Sequence, residues 1–221
     1  MKIIAHIKTD MPEKFGIPRQ SGIVPELKGV IEFEKEYSDP EAVEGLEGFE
    51  YIWVLWLFDG FSDSFAPKVR PPRLGGNKRV GVFATRSPNR PNPIGLSCVK
   101  LEKVETGEKT RLYVSGVDMR DNTKIIDIKP YIPFADSKEN ARAGFVNEKE
   151  KRTLSVTDPD GILDGIEEKD VIIKLIGEDP RPAYHGEDGR IYTMRFARYD
   201  ISFVASMDKA VISDIEIIEK M

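Results

Sequence analysis

The 221-residue chain has one cysteine, two histidines and no long apolar run. A lone cysteine, Cys98, excludes an intrachain disulfide framework and suits a reducing, cytoplasmic setting. It alternates with its neighbours, Leu96 and Cys98 against Ser97 and Val99, so it is expected to pack as a small buried hydrophobe. His6 and His185 have no partner at metal-ligand spacing. No CxxC, HExxH, GxxxxGK[ST] or strand-following GxGxxG occurs, which leaves zinc chemistry, a P-loop and a Rossmann nucleotide site without support; no metal is expected. The longest apolar run, 52–58, falls far short of the roughly 20 residues of a membrane span, so no membrane partner is expected. The opening MKIIAHIKTDMPEK is expected to be a first strand and not a signal peptide.

Acids are also missing, but only locally. Between Ser64 and Leu101 stand eight basic residues and no Asp or Glu, in a chain whose formal net charge is −5. Subtracting those eight positive charges leaves −13 for the remainder. Such a dipole attracts a polyanion or orients an anionic ligand, while the acidic remainder discourages indiscriminate binding. The plainer alternative is a solvated loop whose arginines pair with distant carboxylates.

Short β-type segments dominate the first two thirds. Strands are expected over 2–7, 29–33, 51–58 (aromatic and buried on both faces), 79–85, 96–104, 110–118 and 124–131. Asp39 followed by Pro40 reads as the N-cap and first position of a short helix. The spacing predicts a mainly β protein: an antiparallel β-barrel over 1–140, then a linker over 141–164. A small α+β unit follows over 165–221, with an amphipathic helix over 165–177 and strands over 190–196, 199–205 and 211–218.

Three polar islands interrupt this pattern. GIPRQSG (16–22) is a turn that projects Arg19, a five-donor fork, and Gln20, both donor and acceptor. RPPRLGGN and RSPNRPNP (70–77 and 86–93) combine arginines with prolines that stiffen the chain, and a stiff loop loses less entropy on binding. Gly75, Gly76 and Asn77 can take positive φ and leave backbone N–H groups accessible. VDMRDNT (117–123) sets Asp118 and Asp121 in a turn between strands, where carboxylates can accept from ribose hydroxyls; turn chemistry alone also accounts for aspartates. Asp59-Gly60 supplies another carboxylate at a strand end.

Taken in order, PRQ (18–20), RPPRLGGN (70–77), GVFATRSPNRPNPIGLS (81–97), DIKPY (127–131) and DPRPAY (179–184) resemble the TrmO (TsaA-like) family over nearly the whole chain. The resemblance implies a barrel that binds S-adenosylmethionine, a homodimer, and N6-methylation of threonylcarbamoyl-adenosine beside the anticodon of tRNA. On matching positions it implies donor contacts from Pro18, Arg19, Gln20, Arg86, Leu96, Asp118, Met119, Arg120 and Asp121. Asp59 and Gly60, also expected at the donor, stand where the family often has His-Gln, and Tyr51 replaces a histidine that often precedes its LW pair.

Methyl transfer from a sulfonium requires alignment of donor and acceptor. Arg19 or Arg86 is expected to pair with the donor's carboxylate, with Asp118 and Asp121 on its ribose or adenine. A proton acceptor should assist, and Tyr131 and Tyr184 are the candidates. Arg70, Arg73, Lys78, Arg79, Arg90 and Arg181 are expected to meet tRNA phosphates at the anticodon loop. Two alternatives stay open: a non-catalytic RNA-binding relative, and a methyltransferase for a small anionic metabolite.

Overall fold

The computed structural model describes residues 1–60, 65–75, 78–147, 152–182 and 189–218. Its first part is a closed six-stranded barrel of β1 (Ala5–Thr9), β2 (Lys28–Phe33), β3 (Tyr51–Leu57), β6 (Ile94–Glu105), β7 (Arg111–Ser115) and β8 (Thr123–Pro130). The order around it is β1-β2-β7-β6-β3-β8, with β8 closing onto β1. All six neighbouring pairs are antiparallel. β6 turns a corner: its first half pairs with β3 and its second with β7, with a register shift between Leu101 and Lys103.

Alternation places one face of every strand inside. On β3 the inward residues are Ile52, Val54 and Trp56; Tyr51, Trp53 and Leu55 are only partly covered, so this strand is not buried on both faces. On β6 the inward residues are Ser97 and Val99. Leu96 is exposed and Cys98 half-buried on the outside, the reverse of the face expected for the cysteine. Burial still raises the Cys98 thiol above its usual pKa, which keeps it a poor nucleophile.

The expected strand over 79–85 is mostly something else. Only β5 (Val80–Gly81) is extended, paired with β4 (Lys68–Val69), and a 3-10 turn follows over Val82–Ala84. Without a third strand, this β-branched stretch forms a two-stranded ribbon outside the barrel. Asp39 does cap a 3-10 turn at Pro40–Val43, accepting from the Glu41 N–H at 3.0 Å.

After a single helical turn, α1 (Pro133–Asp136), the chain reaches a second sheet. Its order is β10 (Ile191–Phe196), β11 (Tyr199–Ser206), β12 (Lys209–Ile217) and β9 (Ser155–Thr157). β9 lies within the stretch read as a linker and joins the sheet parallel to β12. The helix α2 (Lys169–Gly177) starts four residues later than expected and buries Ile172, Leu175 and Ile176.

Barrel and second sheet share one continuous apolar core. The loop after β1 makes the join. Phe15 stacks with Tyr192 and Phe203 at centroid distances of 6.1 and 6.5 Å, and Ala197 N–H donates to Asp10 O at 2.7 Å. Gly16, at φ 92°, lies against the Met194 side chain, where a Cβ would collide. The segment carrying Pro18, Arg19 and Gln20 is therefore braced from the C-terminal sheet.

Candidate functional site

In an antiparallel barrel, alternate strand ends gather on one rim. Here the ends of β1, β3 and β7 and the starts of β2, β6 and β8 lie together, as the pairs Thr9↔Gly29, Leu57↔Ile94, Lys28↔Ser115 and Ile7↔Thr123 show. All three polar islands follow or precede those ends. They surround a cleft of about 1780 Å³.

The inner wall is built from a hydrogen-bonded chain. Trp56 lies across Gly95 on the neighbouring strand, where a Cβ would collide with its indole. Trp56 Nε1–H donates to Ser97 Oγ at 2.9 Å, and Ser97 Oγ–H donates to Asp118 Oδ1 at 2.5 Å. Burial raises the Asp118 carboxyl from 3.8 to about 6, against the opposing pull of Ser97, backbone N–H groups and nearby Arg86. Trp56 and Ser97 were not singled out from the sequence. The only signal for them was the strand pairing that sets Trp56 beside Gly95, which a linear reading does not contain.

The outer wall comes from the first two islands. Arg86 NH1 donates to Gln20 Oε1, linking the proline-rich loop to the PRQ turn. Arg19 lines the cleft, but its guanidinium donates to the carbonyls of Asp179 and Arg181 at 3.3 and 3.5 Å. Pro18, Asp59, Leu96 and Arg120 also line the cleft, as do Arg70, Arg73, Arg79, Arg90 and Arg181. Arg73 Nε is buried with no hydrogen-bond partner among the described residues.

Several expected residues are engaged elsewhere. Met119 is fully buried in the core, and its carbonyl accepts from Thr9 Oγ1 at 3.2 Å. Asp121 Oδ1 accepts from Thr9 N–H at 3.1 Å, which fixes the turn after β7 to the end of β1. Neither side chain lines the cleft, because the turn that exposes Asp118 must anchor its other members. Gly60 and Lys78 are exposed outside the cleft lining. Tyr131 lies on the barrel exterior against Tyr51 and Trp53, with centroids 6.3 and 5.8 Å away, so within one chain it is not beside Asp118. Tyr184, Gly76 and Asn77 lie outside the described residues.

Arg181 also departs from its expected phosphate contact. It is only 3% exposed, and its Nε and NH2 donate to Asp179 Oδ1 and Oδ2 at 2.7 and 3.0 Å. Arg152 Nε adds a second contact to Asp179 Oδ2 at 2.8 Å. Asp59 accepts from Arg120 NH2 at 3.3 Å and lies 3.8 Å from Lys124 Nζ. No group of three or more His, Cys, Asp or Glu side chains able to hold a metal occurs among the described residues.

The sequence matches the tRNA-methyltransferase O N-terminal domain over residues 6–137 and the TrmO C-terminal domain over 163–218. The chain belongs to the TrmO family. It is 40% identical over 210 residues to a Pseudomonas aeruginosa protein named as a candidate S-adenosylmethionine-dependent methyltransferase, covering 90% of this chain and 89% of that one. It is 39% identical over 210 residues to the tRNA (adenine(37)-N6)-methyltransferase of Escherichia coli K12, covering 86% of each. A crystal structure of TrmO superposes with a TM-score of 0.78 at 32% identity over 96% of both chains.

The cleft's donor set suits the methyl donor of such enzymes. Asp118 offers acceptors for hydroxyls, Arg86 a fork for a carboxylate, and Leu96, at 48% exposure, an apolar surface for a ring.

Proposed function

We propose that this protein is an S-adenosylmethionine-dependent tRNA methyltransferase acting on N6 of threonylcarbamoyl-adenosine beside the anticodon. The observation that carries this reading is the juxtaposition in one cleft of a polar inner wall, centred on Asp118, with arginines from a span, 64–101, that holds no acidic residue. S-adenosylmethionine, when bound, supplies a methyl group activated by an adjoining sulfonium. Asp118 accepts from its hydroxyls, with Ser97 fixing which carboxylate oxygen is left for the ligand. Arg86 binds a carboxylate, with Gln20 holding its guanidinium in place. Arg19 supports the turn from behind through the Asp179–Arg181 backbone.

Arg70, Arg73 and Arg79 meet the phosphates of the tRNA and fix its register. Base specificity is then a matter of one unpaired base reaching the inner wall, as is usual for RNA loops. The protein works as a homodimer in the cytoplasm. Tyr131 lies on the barrel exterior, away from the Asp118 of its own chain, so a proton acceptor at that position would have to serve the partner's cleft.

Calorimetric titration with S-adenosylmethionine tests the donor site. Micromolar binding that weakens at least tenfold in Arg86→Ala is the expected result. Binding of tRNA with no binding of the donor would instead favour a non-catalytic RNA-binding protein.

A further inference from the structure

Phe83 and Phe65 are among the large apolar side chains left in water, at 69% and 46% exposure. Their rings stack at 6.1 Å with planes 26° apart. The Arg90 guanidinium carbon lies 5.3 Å from the centre of the Phe83 ring. Arg90 is itself pinned, with NH1 donating to Val82 O at 3.1 Å and Thr85 O at 2.7 Å. The loop beneath is held by Thr85 Oγ1–H to Val82 O at 2.7 Å, Ser87 N–H to Thr85 Oγ1 at 3.1 Å and Arg90 N–H to Pro88 O at 2.7 Å. Three prolines stiffen the same stretch.

A pair of exposed rings, one of them on a pinned loop with a cation over it, marks a contact surface. Its chemistry selects the partner. Aromatic faces and arginine planes are what unpaired bases stack on, and such stacking accepts any base. Phe83 and Arg90 line the same cleft as Asp118, beside Arg70 and Arg79, in a span with no acidic residue. That charge is complementary to a nucleic acid.

We infer that Phe83, together with the Phe65 ring stacked on it and the Arg90 guanidinium plane over it, is a stacking platform for an unpaired base of the anticodon loop. This rests on the tRNA reading above. The platform holds the loop open by giving a displaced base a surface as apolar as the stack it left, while the arginines hold the phosphates on either side.

Titration of the full-length protein with an anticodon stem-loop carrying 2-aminopurine in the loop tests it, because stacking quenches that fluorophore. Phe83→Ala should weaken binding about 5- to 150-fold, the range for loss of one base–aromatic stack. Phe83→Leu, apolar but without a π face, should weaken it comparably, whereas Phe83→Trp should retain it. The dependence of affinity on salt should keep its slope in all three, since no phosphate contact is lost. Donor affinity and melting temperature should stay at their unaltered values, which separates the effect from misfolding.

Unchanged RNA affinity in Phe83→Ala and Phe83→Leu would overturn the platform while leaving the tRNA reading intact. So would a fall in oligomeric state on sedimentation, which would make the rings a contact between two copies of the chain. Failure of the unaltered protein to bind the stem-loop at all would remove the tRNA reading, and the platform with it.

Discussion

Asp118 is pulled two ways by its surroundings. Burial favours the neutral carboxyl, while Ser97, backbone N–H groups and Arg86 favour the carboxylate; burial dominates and the pKa stands at about 6. An unfolded aspartate loses its proton near 3.8, so between about pH 4 and 6 the folded chain binds more protons than the unfolded one. Stability attributable to Asp118 therefore falls as pH rises through that window, and above it the full penalty applies. Asp118→Asn should raise unfolding stability at pH 8 by about 3 kcal/mol, with the gain shrinking towards pH 4, as denaturant melts at several pH values would show. The same variant should lose donor affinity, a trade of stability for function. Removing the Ser97 hydroxyl takes away one group that favours the carboxylate. In Ser97→Ala the acid-side loss of donor binding should consequently begin at a higher pH than in the unaltered protein.

At this scale the sequence was legible where side-chain chemistry alone decides. PRQ, Arg86 and Asp118 do line the cleft, and a turn that presents a fork or a carboxylate is recognisable by its composition. Met119 and Asp121 could not be separated from Asp118, since which residue of a turn faces the cleft depends on how the turn is anchored. Here Thr9 holds Asp121 and the core takes Met119.

Among the elements, the turn at Asp179 connects the two parts of the molecule. Asp179 has φ 50° and its carboxylate is flanked by Arg181 and Arg152. The backbone of the same turn accepts from Arg19. Asp179→Asn would leave the buried Arg181 charge poorly compensated, a change that typically costs about 3–5 kcal/mol. The C-terminal sheet and PRQ turn should loosen together, so thermal melting should fall and donor binding weaken although residue 179 lies outside the inner wall. An unchanged melting temperature would show that the turn is not a brace.

Strand pairing explains which elements were legible. The barrel strands were readable because each has one buried face, and alternation marks it. The 79–85 stretch has β-type residues but no barrel neighbour, and β9 is three residues long in a polar context. Both were misread because local composition does not reveal a distant partner.

For the molecule as a whole, charge separation is the governing feature. A chain of net charge −5 gathers arginines at one rim, so tRNA affinity should be steeply salt-dependent. Replacing Arg70, Arg73 or Arg79 by Gln should each lower the slope of log affinity against log salt by about 1 and weaken binding to all tRNAs alike. Arg181→Gln should act differently, through lost stability, because its guanidinium is buried against Asp179. Among the described residues no helix is long and apolar enough to cross a membrane, and the apolar surface goes instead into one core shared by both sheets.

Incubation of the protein with methyl-labelled S-adenosylmethionine and tRNA containing threonylcarbamoyl-adenosine, followed by nucleoside digestion, reads out the methyl transfer itself. Label should appear in a single nucleoside, methylated threonylcarbamoyl-adenosine, and Asp118→Asn should abolish or greatly reduce it. Donor binding with no label in tRNA, or label transferred only to a small anionic metabolite, would contradict the assignment.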